Sequence, residues 1–371
     1  MTLAPSAATS ITASDLAERL THGPHLTVLD VRDDATWGIE APGATSCHMP
    51  AATVLADPRA AAQRLDGPVA VVCNRGISAG DVALALRAEG VAALVVEGGM
   101  RGWIGALQSR EVDLGIDGLS VLQVQRPGRG CLSYVIASGT EALVVDPAPD
   151  AAFYVALAAG LGARVTTVVD THLHADHLSG ARALADLTGA TLRLPAPALE
   201  RGVAYAVTAL HDGDTLAVGD ITVRALSLPG HTTDMTGLMI ADRALLSGDS
   251  LFADGVARPD LQEGDPDGAR AMARMLHATL HERILALGDD VLLLPGHTHP
   301  GVNATAIAPP LAAVRAAVPE LRIDDPAEFA EALLAGMPPR PANYEAVIAV
   351  NAGTHPFDPE LETGGNSCST R

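Results

Sequence analysis

The sequence predicts an α/β protein of two domains, on three observations. Its 371 residues are too many for one average domain and suit two. Short β-rich runs alternate with a helix-like stretch over the first hundred residues, the pattern of a parallel sheet. From residue 119 onward, hairpins and helices are interspersed with β-runs that end on His or Asp. The chain is 48% apolar, enough for a sizeable core. Aromatics are only 3%, so Ala, Gly, Leu and Val must fill that core.

In the first block, 10–108, "HLTVLDVR" (25–32) and "PVAVVCN" (68–74) are β-rich. "SAGDVALALRAEG" (78–90) predicts a helix with Ser78 as N-cap and Gly90 as its stop. "VAALVVEGG" (91–99) is a further strand, and the block closes on "GGMRGWIGAL" (98–107). The polar stretch 109–118 reads as a linker. The second block, 119–355, opens with "LSVLQVQ" and then a hairpin, "CLSYVIASGTEALVVDP" (131–147), turning at "SGTE". The uncharged run 151–163 is too short to span a bilayer and reads as a buried helix. After it come the strand "RVTTVVD" (164–170), the stretch "THLHADHLSG" (171–180) and a helix from 180 to 189. A second hairpin turns at Gly219-Asp220, and "ALLSGDSLF" (244–252) and "DVLLLPGH" (290–297) are strands. Between them, 266–287 reads as an amphipathic helix with Met272, Met275, Leu276 and Leu280 on one side. Residues 356–371 read as a frayed tail.

The formal charge of −20 argues against nucleic acid and anionic membranes as partners. No lysine occurs, which excludes a lysine Schiff base or a P-loop lysine. The four cysteines, Cys47, Cys73, Cys131 and Cys368, are too sparse for a disulfide framework. No basic-then-apolar leader is apparent at the N-terminus, so a soluble cytoplasmic protein is the expectation.

His172, His174, Asp176 and His177 crowd into six positions after a β-run. "LSLPGHT" delivers His231, "ALLSGDS" delivers Asp249 and "LLLPGHT" delivers His297, each at a strand end with a glycine before it. Sites of α/β folds assemble at the carboxyl ends of strands, and this donor set suits zinc, iron or manganese. A lone strand-end His is usually a surface or capping residue; an ordered set of this size is not. His277 and His281, four apart with no Glu between them in the zincin position, read as a helix surface. His22, His25, His48, His211, His299 and His355 read as structural or exposed, and Cys131 as a core strand residue.

With these residues the second block resembles the metallo-β-lactamase superfamily, which implies an αββα sandwich. The resemblance leaves the reaction open between dizinc hydrolases of thioesters or lactones, such as glyoxalase II, and mononuclear iron persulfide dioxygenases. "GDSLFADGVARPDLQEGD" (248–265) is similar to the dioxygenase pattern at Asp249, Gly255, Arg258, Asp260 and Gln262, with Val256 where some members have Cys. Residues 337–353 also resemble that branch. The resemblance implies one Fe(2+) per chain on His172, His231 and Asp249, a two-His-one-carboxylate triad with open positions. His174, Asp176, His177 and His297 then orient the ligands. In the hydrolase alternative they help hold two Zn(2+), with His174 at the first ion and the other three at the second. Arg258 is expected to hold an anionic substrate or to order the metal's surroundings, with Asp260 beside it.

In the first block, "CNRGIS" (73–78) puts Cys73 between a strand and a helix N-terminus, with Arg75 nearby. Backbone N–H groups aimed at that position favour a thiolate or an anionic persulfide. With "LDVRDDATW", "APGATSCHMP" and "GGMRGW", the block resembles a single rhodanese domain. It departs from that pattern at Ser78, where many active members carry Arg, and at "GIEA". The two resemblances together imply oxidation of a low-molecular-weight persulfide, glutathione persulfide first, by O2 to sulfite and thiol. Cys73 would pass sulfur between a persulfide and sulfite or thiosulfate. They also imply a homodimer. A sulfur-carrier or sensing module with a purely structural metal is the remaining class.

Overall fold

A computed structural model describes residues 9–35, 38–41, 44–262 and 265–363. The chain divides into two compact units. One comprises residues up to 108 together with 125–130 and 299–305; the other comprises 109–124, 131–298 and 306 onward.

The first unit holds a five-stranded sheet in the order Ser10–Ile11, Ala93–Val96, Val69–Val72, Thr27–Asp30, Thr45–His48. Every pairing is parallel, as the alternation of β-runs and helix requires. Strands Thr27–Asp30 and Val69–Val72 are buried throughout, the mark of a sheet covered on both faces. Leu16, Leu20, Val28, Val72 and Trp103 pack on one side, and Leu29, Val71, Val82 and Leu86 on the other. The edge strands Ser10–Ile11 and Thr45–His48 escape sequence reading because one is two residues long and the other polar. The helix runs Ile77–Ala88 with Gly76 at its N-cap in the left-handed region, φ 83°. Ser78 is therefore not the cap; glycine tolerates the conformation that a residue with Cβ resists.

The second unit packs two sheets face to face. A seven-stranded sheet has the order Thr208–Leu210, Thr191–Pro195, Arg164–Val169, Glu141–Val145, Leu132–Ser138, Leu119–Gln125, Gln108–Glu111. A five-stranded sheet has the order Thr215–Val218, Ile221–Ser227, Thr236–Ile240, Ala244–Gly248, Leu292–Pro295. Both expected hairpins form, with Ser138 opposite Glu141 and Val218 opposite Ile221. Ile136, Leu143, Val145 and Val169 of the first sheet meet Val223, Leu238, Ile240 and Leu246 of the second. The outer face of the five-stranded sheet carries helices Pro266–Ala278, Leu311–Ala317 and Pro326–Ala335, whose Leu276, Val314 and Phe329 join Leu245 and Leu293 of the sheet in one core. Both units are α/β, and the second has the expected sandwich layers.

Several expectations change. Residues 109–111 of the expected linker belong, with Gln108, to the edge strand of the seven-stranded sheet, in which Gln108 and Arg110 are buried. The tail is anchored as far as 363: Leu361 packs on Leu178, Val347 and Val350, and Glu362 accepts the Leu178 N–H at 2.7 Å. Residues 364–371, with Cys368, lie outside the described residues. Helix Ala151–Gly160 buries only Tyr154 and Ala158, because it meets the sheet along one stripe and its alanines tolerate exposure. The 266–287 segment is an α-helix to Ala278 followed by a π-helical turn, Thr279–Ile284. Met275, one residue off its buried stripe, is exposed. His277 is buried, not on the surface: helix Pro326–Ala335 covers that face, and Nε2 lies 2.9 Å from the Ile323 carbonyl.

Candidate active site

Strands Arg164–Val169, Ile221–Ser227, Ala244–Gly248 and Leu292–Pro295 each end in a short loop that delivers a donor. Two glycines make the approach possible. A Cβ on Gly296 would lie 2.5 Å from Asp249 Oδ1, and one on Gly248 would lie 2.2 Å from Met235 Cε. His172, His231 and Asp249 are essentially inaccessible, at 1%, 0% and 1% exposure. His172 Nε2 and His231 Nε2 each stand 3.8 Å from Asp249 Oδ2. All three atoms are buried without a hydrogen-bond partner. Orphaned buried polar atoms are costly, and three converging on one point fit a metal ion. Their other ends are satisfied. His231 Nδ1 donates to the Arg258 carbonyl at 2.9 Å. Thr171 Oγ1 gives its proton to Asp146 Oδ2 at 2.9 Å and so accepts from His172 Nδ1 at 3.0 Å. Both Nε2 lone pairs are thereby left for a metal. Burial, then the neighbouring imidazoles of His174 and His231, hold His172 well below the ordinary histidine range, in its neutral form.

The other motif residues fall into two further groups. His174 Nε2 lies 3.1 Å from Asp146 Oδ1 and 3.9 Å from Asp170 Oδ1. Burial, ahead of the nearby charges, pushes Asp170 up to about 6. The second group is Asp176, His177, His297 and Cys131, whose donor atoms all lie within 4.8 Å of one another. Asp176 meets His177 Nδ1 through Oδ1 at 3.0 Å and His297 Nε2 through Oδ2 at 2.9 Å. His297 Nδ1 lies 2.7 Å from Asp249 Oδ1. Burial raises the Cys131 thiol, but His177 and His297 outweigh it and bring it down to about 5. Cys131 is thus not merely a core strand residue; an isolated bridge to His297 brings it to the centre. Asp146 and Asp170 were missed too. Each ends a β-run, "ALVVD" and "TTVVD", as the recognised donors do.

Arg258 and Asp260 do not face the centre with free charge. The Arg258 guanidinium is wholly buried and donates to Asp260 at 2.7 and 3.1 Å and to the Pro338 carbonyl at 2.8 Å. Asp260 also takes Arg340 at 3.2 Å. A guanidinium committed in this way cannot hold substrate. Its contribution is the carbonyl that orients His231. Gln262 accepts from Thr233 N–H at 2.8 Å, two residues beyond His231.

In the first unit, strand Val69–Val72 ends at Cys73, 4% exposed. The Gly76 N–H donates to its Sγ at 3.1 Å. Burial raises this thiol, yet the Ser78 hydroxyl and the N–H groups of Ala79, Arg75 and Gly76 lower it below its ordinary value. A Cβ on Gly99 would sit 2.1 Å from the Cys73 carbonyl, so only glycine lets the following helix close on this loop, where Met100 N–H reaches that carbonyl at 2.8 Å. The Arg75 side chain is exposed beside it. Asp30 receives Arg32 in a bidentate pair at 2.6–3.0 Å; Thr36 and Trp37 lie outside the described residues.

Residues 126–297 match the family model of the metallo-beta-lactamase superfamily, and residues 12–106 that of the rhodanese-like domain. The hydroxyacylglutathione hydrolase of Anaeromyxobacter dehalogenans is 34% identical over 236 residues, 61% of this chain and 82% of that protein. Human mitochondrial persulfide dioxygenase ETHE1 is 30% identical over 169 residues, 45% of this chain. The chain spans 63% of that relative's length. The crystal structure of ETHE1 from Myxococcus xanthus superposes with a TM-score of 0.55 at 27% identity, covering 63% of this chain and 98% of that one. The chain belongs to the metallo-beta-lactamase superfamily and carries an N-terminal rhodanese-like domain. Among the described residues, no helix is long and apolar enough to cross a membrane.

Proposed function

We propose that the protein is an iron-dependent persulfide dioxygenase with a sulfur-transferring rhodanese cysteine. One observation carries the reading. The unpartnered donor atoms of His172, His231 and Asp249 form a two-His-one-carboxylate set, and the Nε2 of His174 is turned to Asp146 and Asp170 instead. Such a triad suits a single Fe(2+) with open positions, which supplies O2 chemistry when bound. In the net reaction, a thiol persulfide, O2 and water give the thiol and sulfurous acid. The terminal sulfur loses four electrons and O2 takes them. The chain's residues do the holding: Thr171 and the Arg258 carbonyl fix two imidazoles, and His297 fixes one oxygen of Asp249. In the first unit, the Cys73 thiolate accepts the sulfane sulfur of thiosulfate, releasing sulfite, or of a persulfide, releasing thiol. Glutathione persulfide is the first substrate to try. Among the described residues, Cys47, Cys73 and Cys131 form no disulfide, which fits a reducing compartment such as the cytoplasm.

A dizinc hydrolase of a thioester is the second reading. It is favoured by the hydroxyacylglutathione hydrolase relatives and by the grouping of Asp176, His177 and His297. Purified protein, assayed for Fe and Zn and for O2 uptake with glutathione persulfide, separates the two. One iron and O2 uptake are expected. Two zincs, thioester hydrolysis and no O2 uptake would overturn the dioxygenase.

A further inference from the structure

We propose that Asp234 is a positioning residue that sets the spacing of His172 and His231 by joining the two loops that carry them. The inference rests on reading His172, His231 and Asp249 as a metal position, not on the reaction carried out there. The anchors already described fix how each ring is turned: Thr171 holds His172 and the Arg258 carbonyl holds His231. Neither joins one loop to the other. Yet both Nε2 atoms stand 3.8 Å from Asp249 Oδ2, and the two rings meet edge to face with centroids 5.1 Å apart. That geometry needs the loops held at a fixed separation.

The loops meet main chain to main chain where the Thr236 N–H donates to the Thr171 carbonyl at 2.9 Å. Two residues further along each segment, a side chain takes over from the main chain. The Leu173 N–H donates to Asp234 Oδ2 at 2.7 Å. Leu173 lies between His172 and His174 and is buried, so its N–H needs an acceptor inside the protein. Asp234 lies three residues past His231 and is buried as well. Its other oxygen takes the guanidinium of Arg201, 14% exposed, at the end of helix Ala196–Glu200. A carboxylate engaged at both oxygens cannot turn away from the amide. A charged acceptor also holds an N–H more strongly than a neutral one does. The loop of His172 and His174 is thereby pinned to the loop of His231 beside the metal position.

The test uses the metal-free full-length chain, with cobalt(II) as the probe and oxygen excluded. Arg201→Met is combined with Asp234→Asn in one variant and with Asp234→Ala in another, so that no guanidinium is left without its carboxylate. In the first, an amide oxygen still accepts from the Leu173 N–H; in the second, no side-chain oxygen does. Cobalt affinity is read by competition with a chelator, each binding step fitted separately. The ligand-field bands and the urea midpoint of the metal-free chain are recorded beside it. The asparagine variant is expected to match the wild type closely in affinity and bands. The alanine variant is expected to bind about 10–100-fold more weakly, the range for residues that orient metal ligands, with shifted bands. Should the alanine variant not fold, Asp234→Ser takes its place; its hydroxyl ends one atom short of the carboxylate oxygens, and the same loss is expected. Equal affinities in the two folded variants overturn the proposal. So does an alanine variant whose only change is a lower urea midpoint. O2 uptake enters none of these readings. An iron form without O2 uptake, beside affinities that differ as expected, sinks the dioxygenase reading alone, whereas equal affinities beside O2 uptake sink this inference alone.

Discussion

His172 is directed by a residue that never reaches the metal position. Asp146 accepts the Thr171 N–H at 2.7 Å and its hydroxyl at 2.9 Å, and the hydroxyl in turn accepts from His172 Nδ1. Thr171→Val removes the acceptor and frees the ring to rotate or to take the other tautomer. Outer partners of this kind are worth about 10–100-fold in metal affinity, so Thr171→Val is expected to weaken iron or cobalt binding by about that factor; unchanged affinity in a competition titration would refute the relay. Cys73 offers a parallel case. Its thiol is lowered by Ser78 and three backbone N–H groups, so the thiolate persists to a lower pH than an ordinary cysteine's. The iodoacetamide alkylation rate of Cys73 should therefore rise at lower pH than that of a free thiol, and Ser78→Ala should move the midpoint upward. A midpoint that does not move would separate Ser78 from the sulfur. Cys73→Ser is expected to abolish thiosulfate–cyanide sulfur transfer while O2 uptake continues.

At the scale of elements, the donors sit where strands stop, and this was legible because the signal is local. "PGHT", "SGDS" and "HLHADH" announce themselves beside β-runs of Val, Leu and Thr. Cys131 and Asp146 were not legible as site residues because what makes them so is pairing between distant strands, Cys131 with His297 and Val169 with Val145. The role of Arg258 was half legible: its segment was singled out, but only the fold shows the side chain turned to Asp260 and the carbonyl turned to His231. Removing Asp260 leaves a buried guanidinium short of its carboxylate. Breaking such a pair costs about 3–5 kcal/mol, so Asp260→Ala should lower the urea midpoint accordingly and weaken metal binding through His231. Gly230 couples the "PGHT" loop to a helix. Its φ is 142°, and a Cβ there would lie 2.4 Å from Leu276 Cα. Gly230→Ala must push the helix Pro266–Ala278 or displace His231, with overpacking of this kind costing about 1–3 kcal/mol.

At the scale of the whole molecule, the first unit is not continuous along the chain. A cut at the apparent domain end, residue 108, would leave behind 125–130 and 299–305. These segments contribute to that unit's core and hydrogen bonding. Val302 is 3% exposed within the cluster of Leu16, Val28, Val72 and Trp103. Arg126 donates twice to the Ile104 carbonyl, at 3.1 and 3.2 Å, and the Val302 N–H reaches the Glu40 carbonyl at 3.2 Å. The sequence hides this arrangement, because both segments are short and lie within the span of the other unit. A fragment comprising residues 1–108 therefore lacks a buried side chain and several hydrogen bonds that the unit has in the intact chain. Losing a buried aliphatic group costs on the order of 1–3 kcal/mol, a large fraction of the stability of a domain of this size. Amide exchange at Val69–Val72 should accordingly be faster in the fragment than in the full chain under the same conditions. Equal protection would mean that residues 1–108 form a self-sufficient domain and that the two later segments are dispensable to its core.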